Sequence, residues 1–376
     1  MRTLMLCCLI ITNVFSAASE VTVLRLPAGG LQPQAVADAQ GGLHAVYLGG
    51  EPMASEVFYV RRVAGAGEWS APLRVNSQPK AAIAMGTVRG AHLALGREGR
   101  VHVAWLGSAA AQPRPADGSM PMLYARLDAG ATAFTEQRNL VNKASGLDGG
   151  GSIAADTTGQ VHVVWHAMAG AKDEAGRGVF ITSSSDDGVT FGPELLAQDA
   201  AVGACACCGL AAAAADGRVA VLYRAAAGNT QRDAVLLTTS DRKRWRGTSL
   251  QPWPVNQCPM STSALVPLDK GRWLSAWQTG PQVWWSEIAT NGKLGRAIAA
   301  PGEAKGRKHP ALAVQRDGRV LFAWSEGTGW NMGGSLHWQE FDASGKMLGA
   351  VGNADDLQAW SLPAVAAWGD GFALIY

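Results

Sequence analysis

Residues 99–106 read GRVHVAWL, a glycine followed by a short apolar run that contains a tryptophan. Six related runs occur along the chain, each with an aromatic residue four positions after its first apolar one. They are GLHAVYL at 42, GQVHVVWH at 159, GRVAVLYR at 217, GRWLSAWQ at 271, GRVLFAWS at 318 and GFALIY at 371. Successive runs start 47 to 60 residues apart, and a repeat of this length built from short strands is typical of a β-propeller.

Further apolar strands flank the runs. AHLAL (91–95) comes before one of them, and MLYARL (122–127) comes after it. The last run has PAVAAW (363–368) before it and no strand after it, whereas VTVLRL (21–26) has no partner near the N-terminus. We therefore predict an all-β propeller of seven four-stranded blades, closed by the N-terminal strand, which removes a free sheet edge. Six blades is the alternative, if the final half-blade is accommodated differently.

A second repeated feature follows the third strand of several blades. The segment TSSSDDGVTFGPE at 182–194 has the spacing S-x-D-x-G-x-T-F, formed by Ser184, Asp186, Gly188, Thr190 and Phe191. Weaker copies occur at 127–134, 238–245 and 341–346. This pattern predicts an Asp-box hairpin, in which the aspartate caps a turn and the aromatic residue packs between sheets.

With these hairpins and runs, residues 19–376 resemble the sialidase-like β-propellers with Asp-box (BNR) repeats. For an active sialidase the resemblance implies an arginine triad that binds a carboxylate, a tyrosine nucleophile paired with a glutamate, and an aspartic acid/base. LRLPAG at 24–29 is similar to the family's Arg-[Ile/Leu]-Pro motif. The family has that motif on an inner strand, whereas we expect Arg25 to belong to the outer closing strand.

The N-terminus has the features of a secretory signal peptide. Arg2 precedes the apolar run LMLCCLIITNVF (4–15), and small residues follow it. We predict a signal peptide over residues 1–18, cleaved near Ala18, and a single propeller domain over residues 19–376. The apolar run is too short to anchor the protein in a bilayer, so we expect a periplasmic or extracellular protein with no membrane insertion.

The charge composition excludes some partners. The formal net charge is +2, with 32 basic and 30 acidic residues and no basic stripe. Binding to nucleic acid or to an anionic membrane surface is therefore not expected. We expect a monomer whose partner is a small molecule or a glycan.

Four cysteines remain after the signal peptide: Cys205, Cys207, Cys208 and Cys258. They lie in the segments that lead into blades four and five, so they should be close in space. An oxidising compartment favours a disulfide between Cys258 and one of the other three. The alternative is a soft-metal site for copper or zinc, to which Met260 and His309 would contribute.

The loops that lead into the blades and the loops between second and third strands share one face, here called the loop face. We predict that binding residues lie on this face of blades three to six, because loops on a rigid scaffold usually carry function. The candidates are Trp330, Asn331, His166 and Arg232. Our leading hypothesis is an exported protein that binds a glycan, a peptide or a soft metal. The alternative is an exo-α-sialidase-type or other glycoside hydrolase, with the catalytic candidates Arg224, Glu326, Arg307 and Asp173.

Overall fold

A computed structural model describes residues 21–65, 67–86, 88–170, 172–197 and 203–376. The predicted signal peptide and its cleavage site near Ala18 lie outside the described residues. Within these ranges the chain forms seven β-sheets, and the helical segments between strands are single short turns. None of these turns is long and apolar enough to span a membrane. The prediction of an all-β protein is confirmed.

Strand β1 (Val21–Leu24) precedes the first blade, and each of the next three sheets is built from four consecutive antiparallel strands. Blade one consists of β2 (Leu31–Ala37), β3 (Leu43–Glu51), β4 (Ala54–Arg62) and β5 (Leu73–Arg74). Blade two consists of β6 (His92–Leu95), β7 (Val101–Leu106), β8 (Met122–Leu127) and β9 (Arg138–Asn139). Blade three consists of β10 (Ser152–Ala155), β11 (Val161–Met168), β12 (Arg177–Ser184) and β13 (Leu195–Leu196).

Blades four to six repeat the same antiparallel order. Blade four consists of β14 (Ala211–Ala215), β15 (Arg218–Arg224), β16 (Ala234–Thr239) and β17 (Arg246–Gln251). Blade five consists of β18 (Ala264–Pro267), β19 (Trp273–Thr279), β20 (Gln282–Ile288) and β21 (Ile298–Ala299). Blade six consists of β22 (Lys308–Val314), β23 (Val320–Glu326), β24 (Gly334–Phe341) and β25 (Met347–Leu357).

The seventh blade joins the two ends of the described chain. It contains β26 (Ala364–Trp368), β27 (Gly371–Ile375) and β1, and β1 pairs with β27 in parallel. Beyond the strand ends, the Leu26 N–H donates to the Tyr376 carbonyl (3.2 Å), and the Tyr376 N–H donates to the Leu24 carbonyl (3.1 Å). Seven blades and closure by the N-terminal strand are confirmed. This closing blade consists of the two C-terminal strands and β1, and among the described residues nothing pairs with the outer edge of β1.

The repeated runs form the second strand of every blade, and packing between blades explains their shared register. The aromatic residue of each run is buried against the preceding blade. Trp105 packs with Val46 and Leu48 of blade one, and Trp165 packs with Leu106 of blade two. The aromatic residues that occupy this position are Tyr47, Trp105, Trp165, Tyr223, Trp277, Trp324 and Tyr376. One side chain therefore fills the same gap between blades around the whole ring.

The strict Asp box closes the hairpin between β12 and β13. The Asp186 carboxylate accepts hydrogen bonds from the hydroxyls of Ser184 (2.7 Å) and Thr190 (2.6 Å), and from the Thr190 N–H (2.8 Å). Gly188 has a φ of 77°, a conformation that glycine adopts without strain. Phe191 packs edge-on against Tyr124 with ring centroids 4.9 Å apart. The box therefore holds its own turn and fastens blade three to blade two.

The hydrogen bonds of the Asp box make a contribution to stability that depends on pH. Bonds from Thr190 and Ser184 hold the pKa of Asp186 well below its usual value of 3.8. A carboxyl whose folded-state pKa is lowered stabilises the fold above its unfolded pKa, and this stabilisation is lost as the pH falls. We expect Asp186→Asn to lower the melting temperature at neutral pH, with the gap to the wild type narrowing between about pH 4 and pH 2. Circular dichroism melting curves at several pH values measure this gap, and an equal gap at all of them would contradict the prediction.

Histidines occupy the same position in three of the runs, and each bonds to the neighbouring third strand. His44 Nδ1 lies 2.6 Å from the Tyr59 hydroxyl, and His102 Nδ1 lies 2.7 Å from the Tyr124 hydroxyl. His162 makes the equivalent contact with a serine hydroxyl at 2.8 Å. Burial lowers the pKa of His102 to about 3, so this ring is neutral. The recurrence of histidine therefore reflects cross-strand packing.

Candidate functional site

The central channel is lined mostly by apolar residues. The first strands of the seven blades surround a space of about 380 Å³, lined largely by alanine, valine, leucine and proline. Among its polar side chains, His92 is bonded to the Ser152 hydroxyl at 3.1 Å. Burial lowers the pKa of His92 to about 4, so the ring is neutral at physiological pH. Among the described residues, no aspartate, glutamate, lysine or arginine lines the channel.

The cysteines on the loop face lie together. The Cys205 sulfur is 3.4 Å from the Cys207 sulfur and 3.4 Å from the Cys208 sulfur. Cys258, from the segment before β18, forms a second group with Cys207 and Glu174, whose ligand atoms all lie within 4.8 Å of one another. All four cysteines are free thiols in the structure. We call these four residues the cysteine cluster.

Neighbouring blades hold the segment that carries three of these thiols. The Cys208 carbonyl oxygen lies 3.1 Å from His166 Nε2 on β11. The Ala206 N–H donates to the Glu174 carboxylate at 3.0 Å, and the Gly209 N–H donates to the Ser261 carbonyl at 3.0 Å. The segment is thus fixed to blade three on one side and to the start of blade five on the other.

Three buried arginines surround the cluster: Arg177, Arg224 and Arg232. Arg224 donates to the carbonyl oxygens of Arg232 (2.8 Å) and Gln278 (2.7 Å), and Arg232 pairs with the Glu174 carboxylate. Arg177 Nε and two nitrogens of Arg232 have no hydrogen-bond partner among the described residues. A buried guanidinium needs a nearby negative charge, and Glu174 is the only carboxylate that forms an ion pair with any of the three in the described chain.

The thiols themselves can supply negative charge. Burial would raise the pKa of Cys208, but hydrogen bonds from Cys205 and Cys207 and the Arg224 guanidinium lower it well below its usual value. The pKa of Cys205 is raised by its hydrogen bonds to Cys207 and Cys208 and by burial. The hydrogen bonds and the Arg224 guanidinium therefore favour ionisation of Cys208 over ionisation of Cys205.

Met260 and His309 line a small pocket that also contains Trp330. His309 is buried, its Nδ1 lies 3.5 Å from the Thr262 hydroxyl, and burial lowers its pKa to about 3. Among the described residues, neither of the two potential ligand groups of three or more side chains includes His309. Trp330 is 55% exposed and Asn331 is exposed, so both are accessible at the mouth of this pocket.

The four catalytic candidates do not converge on one point. Arg307 pairs with Glu326 at 2.7 Å, and its other nitrogens donate to the Ala300 and Pro301 carbonyls at 2.8 Å each. Glu326 also accepts from the Trp324 indole at 2.9 Å. This pair therefore fastens blade six to the outer end of blade five.

The remaining candidates have local partners of their own. Asp173 is exposed and caps the short turn Glu174–Gly176, accepting from the Gly176 N–H at 3.0 Å. The Arg224 guanidinium is occupied by carbonyl oxygens next to the cysteine cluster. Arg25 follows β1 at the outer edge of the closing blade, where it pairs with exposed Asp356.

Two members of the site were not predicted as site residues. Glu174 lies next to the candidate Asp173, and Arg177 begins β12. Neither belongs to a recognisable motif. These two residues could have been predicted only in one way. The loop after β11 and the cysteine segment of the next blade share the loop face, so charged side chains of that loop could be expected to face the cysteines.

Comparison with known proteins supports the fold. No known family profile matches the chain, and no curated protein matches it in sequence. A protein of unknown function from Dyadobacter fermentans is 14% identical, with 91% of this chain and 98% of that one covered and a TM-score of 0.55. A Trypanosoma rangeli sialidase is 12% identical (84% and 57% covered, TM-score 0.52), and so is a fucose-recognising lectin of Aleuria aurantia (87% and 95%, 0.52). The chain thus has the fold of the sialidase-like β-propellers.

Proposed function

We propose that this protein is an exported propeller that binds a soft metal ion, copper(I) or zinc, through the cysteine cluster on its loop face. The observation that carries the proposal is the convergence of three sulfurs, two of them 3.4 Å from that of Cys205, beside buried guanidinium groups. Thiolates are the ligands that select these soft ions. The Cys258 thiol adds a fourth sulfur at the exposed side.

Charge favours a metal site over a disulfide. A disulfide is neutral, so forming one would remove two potential thiolates from beside Arg177 and Arg232, whose nitrogens already lack partners. An uncompensated buried guanidinium is costly. Metal binding has the opposite effect, because each ligand thiol loses its proton and becomes a thiolate.

Geometry gives hydrolysis less support. The sialidase resemblance requires arginines free to bind a carboxylate, whereas Arg224 and Arg307 are occupied by backbone carbonyl groups. Glu326 is bonded to Arg307 and to an indole. The identities to sialidases of known structure are far too low to transfer their activity.

Metal titration tests the proposal. The protein, reduced and kept without oxygen, is titrated with copper(I) and separately with zinc against chromophoric chelators. We expect wild-type protein to withdraw at least one of the two ions from its chelator. We expect a Cys205→Ser/Cys208→Ser variant to lose more than about 100-fold in affinity, since even outer-shell changes cost 10- to 100-fold.

The matched control is Met53→Leu, which removes an exposed thioether sulfur in blade one, far from the cluster. Its affinity should equal that of the wild type. Equal affinity in the double cysteine variant, or no competition by the wild type for either ion, would overturn the proposal.

A further inference from the structure

We infer that the cysteine cluster holds two copper(I) ions, with the Cys207 thiolate bridging them. This inference rests on the proposed function and specifies the ion and the number bound. Two features of the site carry it: the way the ligand groups overlap, and the charge that surrounds them.

The potential ligands form two sets that share one sulfur. The inner set consists of the sulfurs of Cys205, Cys207 and Cys208, and the outer set consists of Cys207, Cys258 and the Glu174 carboxylate. Cys258 is not a member of the inner set. A structural zinc ion requires four ligands around a single centre, so the two sets would have to merge. Copper(I) forms stable complexes with only two or three thiolate ligands. A thiolate that belongs to both sets can therefore bridge two such ions.

The charges of the cluster, Glu174 and the three buried arginines leave room for two additional positive charges. With all four thiols ionised, the cluster and Glu174 would carry five negative charges, and Arg177, Arg224 and Arg232 supply three positive ones. Two monovalent ions or one divalent ion complete the balance. The division of the ligands into two sets disfavours one tetrahedral centre and hence a single divalent ion. Two copper(I) ions fit both the two ligand sets and the charge balance.

Other charged groups lie at the rim of the cluster. Asp148 is already paired with Arg89 at 2.6 Å. Lys308 lies near Cys207 and Cys208 but is only partly buried, so water can solvate its ammonium group. Charged groups that remain in water are screened and need no buried counter-charge.

The two ions would differ in accessibility. Cys205 and Cys208 are buried, Cys207 is half-buried and Cys258 is exposed. The Glu174 carboxylate is held in place by Arg232 and by the Ala206 N–H. It therefore forms one fixed side of the outer ligand set. We therefore expect the outer ion to exchange with a soluble chelator faster than the inner ion. Each cysteine that binds copper loses its one proton to the buffer, and the bridging Cys207 thiolate forms two copper–sulfur bonds for the single proton it releases.

Metal counting tests the inference. Reduced protein is loaded without oxygen with an acetonitrile complex of copper(I), desalted, and analysed for copper by mass spectrometry. We expect two copper ions per wild-type chain and one in Cys258→Ser, with X-ray absorption showing a short copper–copper vector only in the wild type. Cys258 is exposed, so the variant should melt at the wild-type temperature. Met53→Leu should keep two ions.

The outcomes separate this inference from the proposed function. One copper per wild-type chain, or two in Cys258→Ser, would overturn the two-ion site and leave soft-metal binding in place. Tight binding of a single zinc ion by all four sulfurs, with weaker binding of copper, would also overturn it. No bound metal of either kind would overturn both.

Discussion

Deleting residues 21–26 is expected to abolish cooperative unfolding of the propeller, or to lower its melting temperature by roughly 10 °C. Leu24 and Leu26 are buried in the core that blade seven shares with blade one. Burying a leucine contributes about 1.5–3 kcal/mol, and each strand hydrogen bond adds about 0.5–1.5 kcal/mol. The loss is then roughly 5–10 kcal/mol, comparable to the whole stability of a typical domain. The variant would also expose the edge of β27, which invites association between chains.

Thermal melting with size-exclusion chromatography measures both effects. The control is Val23→Thr, which changes a side chain on the same strand that is 39% exposed and should melt within a few degrees of the wild type. A deletion variant that remains monomeric and melts at the wild-type temperature would show that closure does not depend on β1.

The second large effect is expected at Asp187, which follows the Asp-box aspartate. Its carboxylate is fully buried, bonds to Arg100 of blade two, and lies 3.2 Å from His102 Nε2. Removing one partner of a buried ion pair leaves an uncompensated charge and costs about 3–5 kcal/mol. We expect Asp187→Asn to lower the free energy of unfolding by about 3 kcal/mol.

Asp128 provides a matched control because it binds the same arginine from the surface. Its carboxylate is 43% exposed and accepts from Arg100 Nε at 2.7 Å. Exposed ion pairs contribute less than about 1 kcal/mol, so Asp128→Asn should have a small effect. Chemical denaturation of both variants measures the difference. Equal losses in the free energy of unfolding would show that the buried ion pair of Asp187 with Arg100 contributes no more than the exposed one.

The fold was predictable from the sequence because it is built on repetition. The aromatic residue of each run, such as Trp105, fills the same gap between blades, so packing imposes a periodic pattern. Closure by β1 could be predicted from an unpaired strand near the N-terminus and a last blade that lacks a third strand. The parallel pairing of β1 with β27 could not be predicted, because the residue composition of a strand does not distinguish parallel from antiparallel pairing.

The candidate site was predictable only in part. The position of Cys258 at the start of blade five placed it near the other cysteines, and its sulfur does belong to a group with that of Cys207. The division of four thiols into two overlapping sets depends on side-chain directions within irregular loops, which leave no periodic signal. The same is true of Arg177 and Glu174, whose importance comes from contacts between blades.

The seam between β1 and β27 also determines how the ring would respond to force. The two strands run in the same direction, with Val21 opposite Phe372 and Leu24 opposite Ile375. Tension applied to the two chain ends pulls β1 backwards and β27 forwards along their common axis. The strands are then loaded in shear, so the hydrogen bonds of the seam resist together and cannot be peeled apart one by one. A ring fastened in this way can be mechanically strong although, within the described residues, no covalent bond closes it.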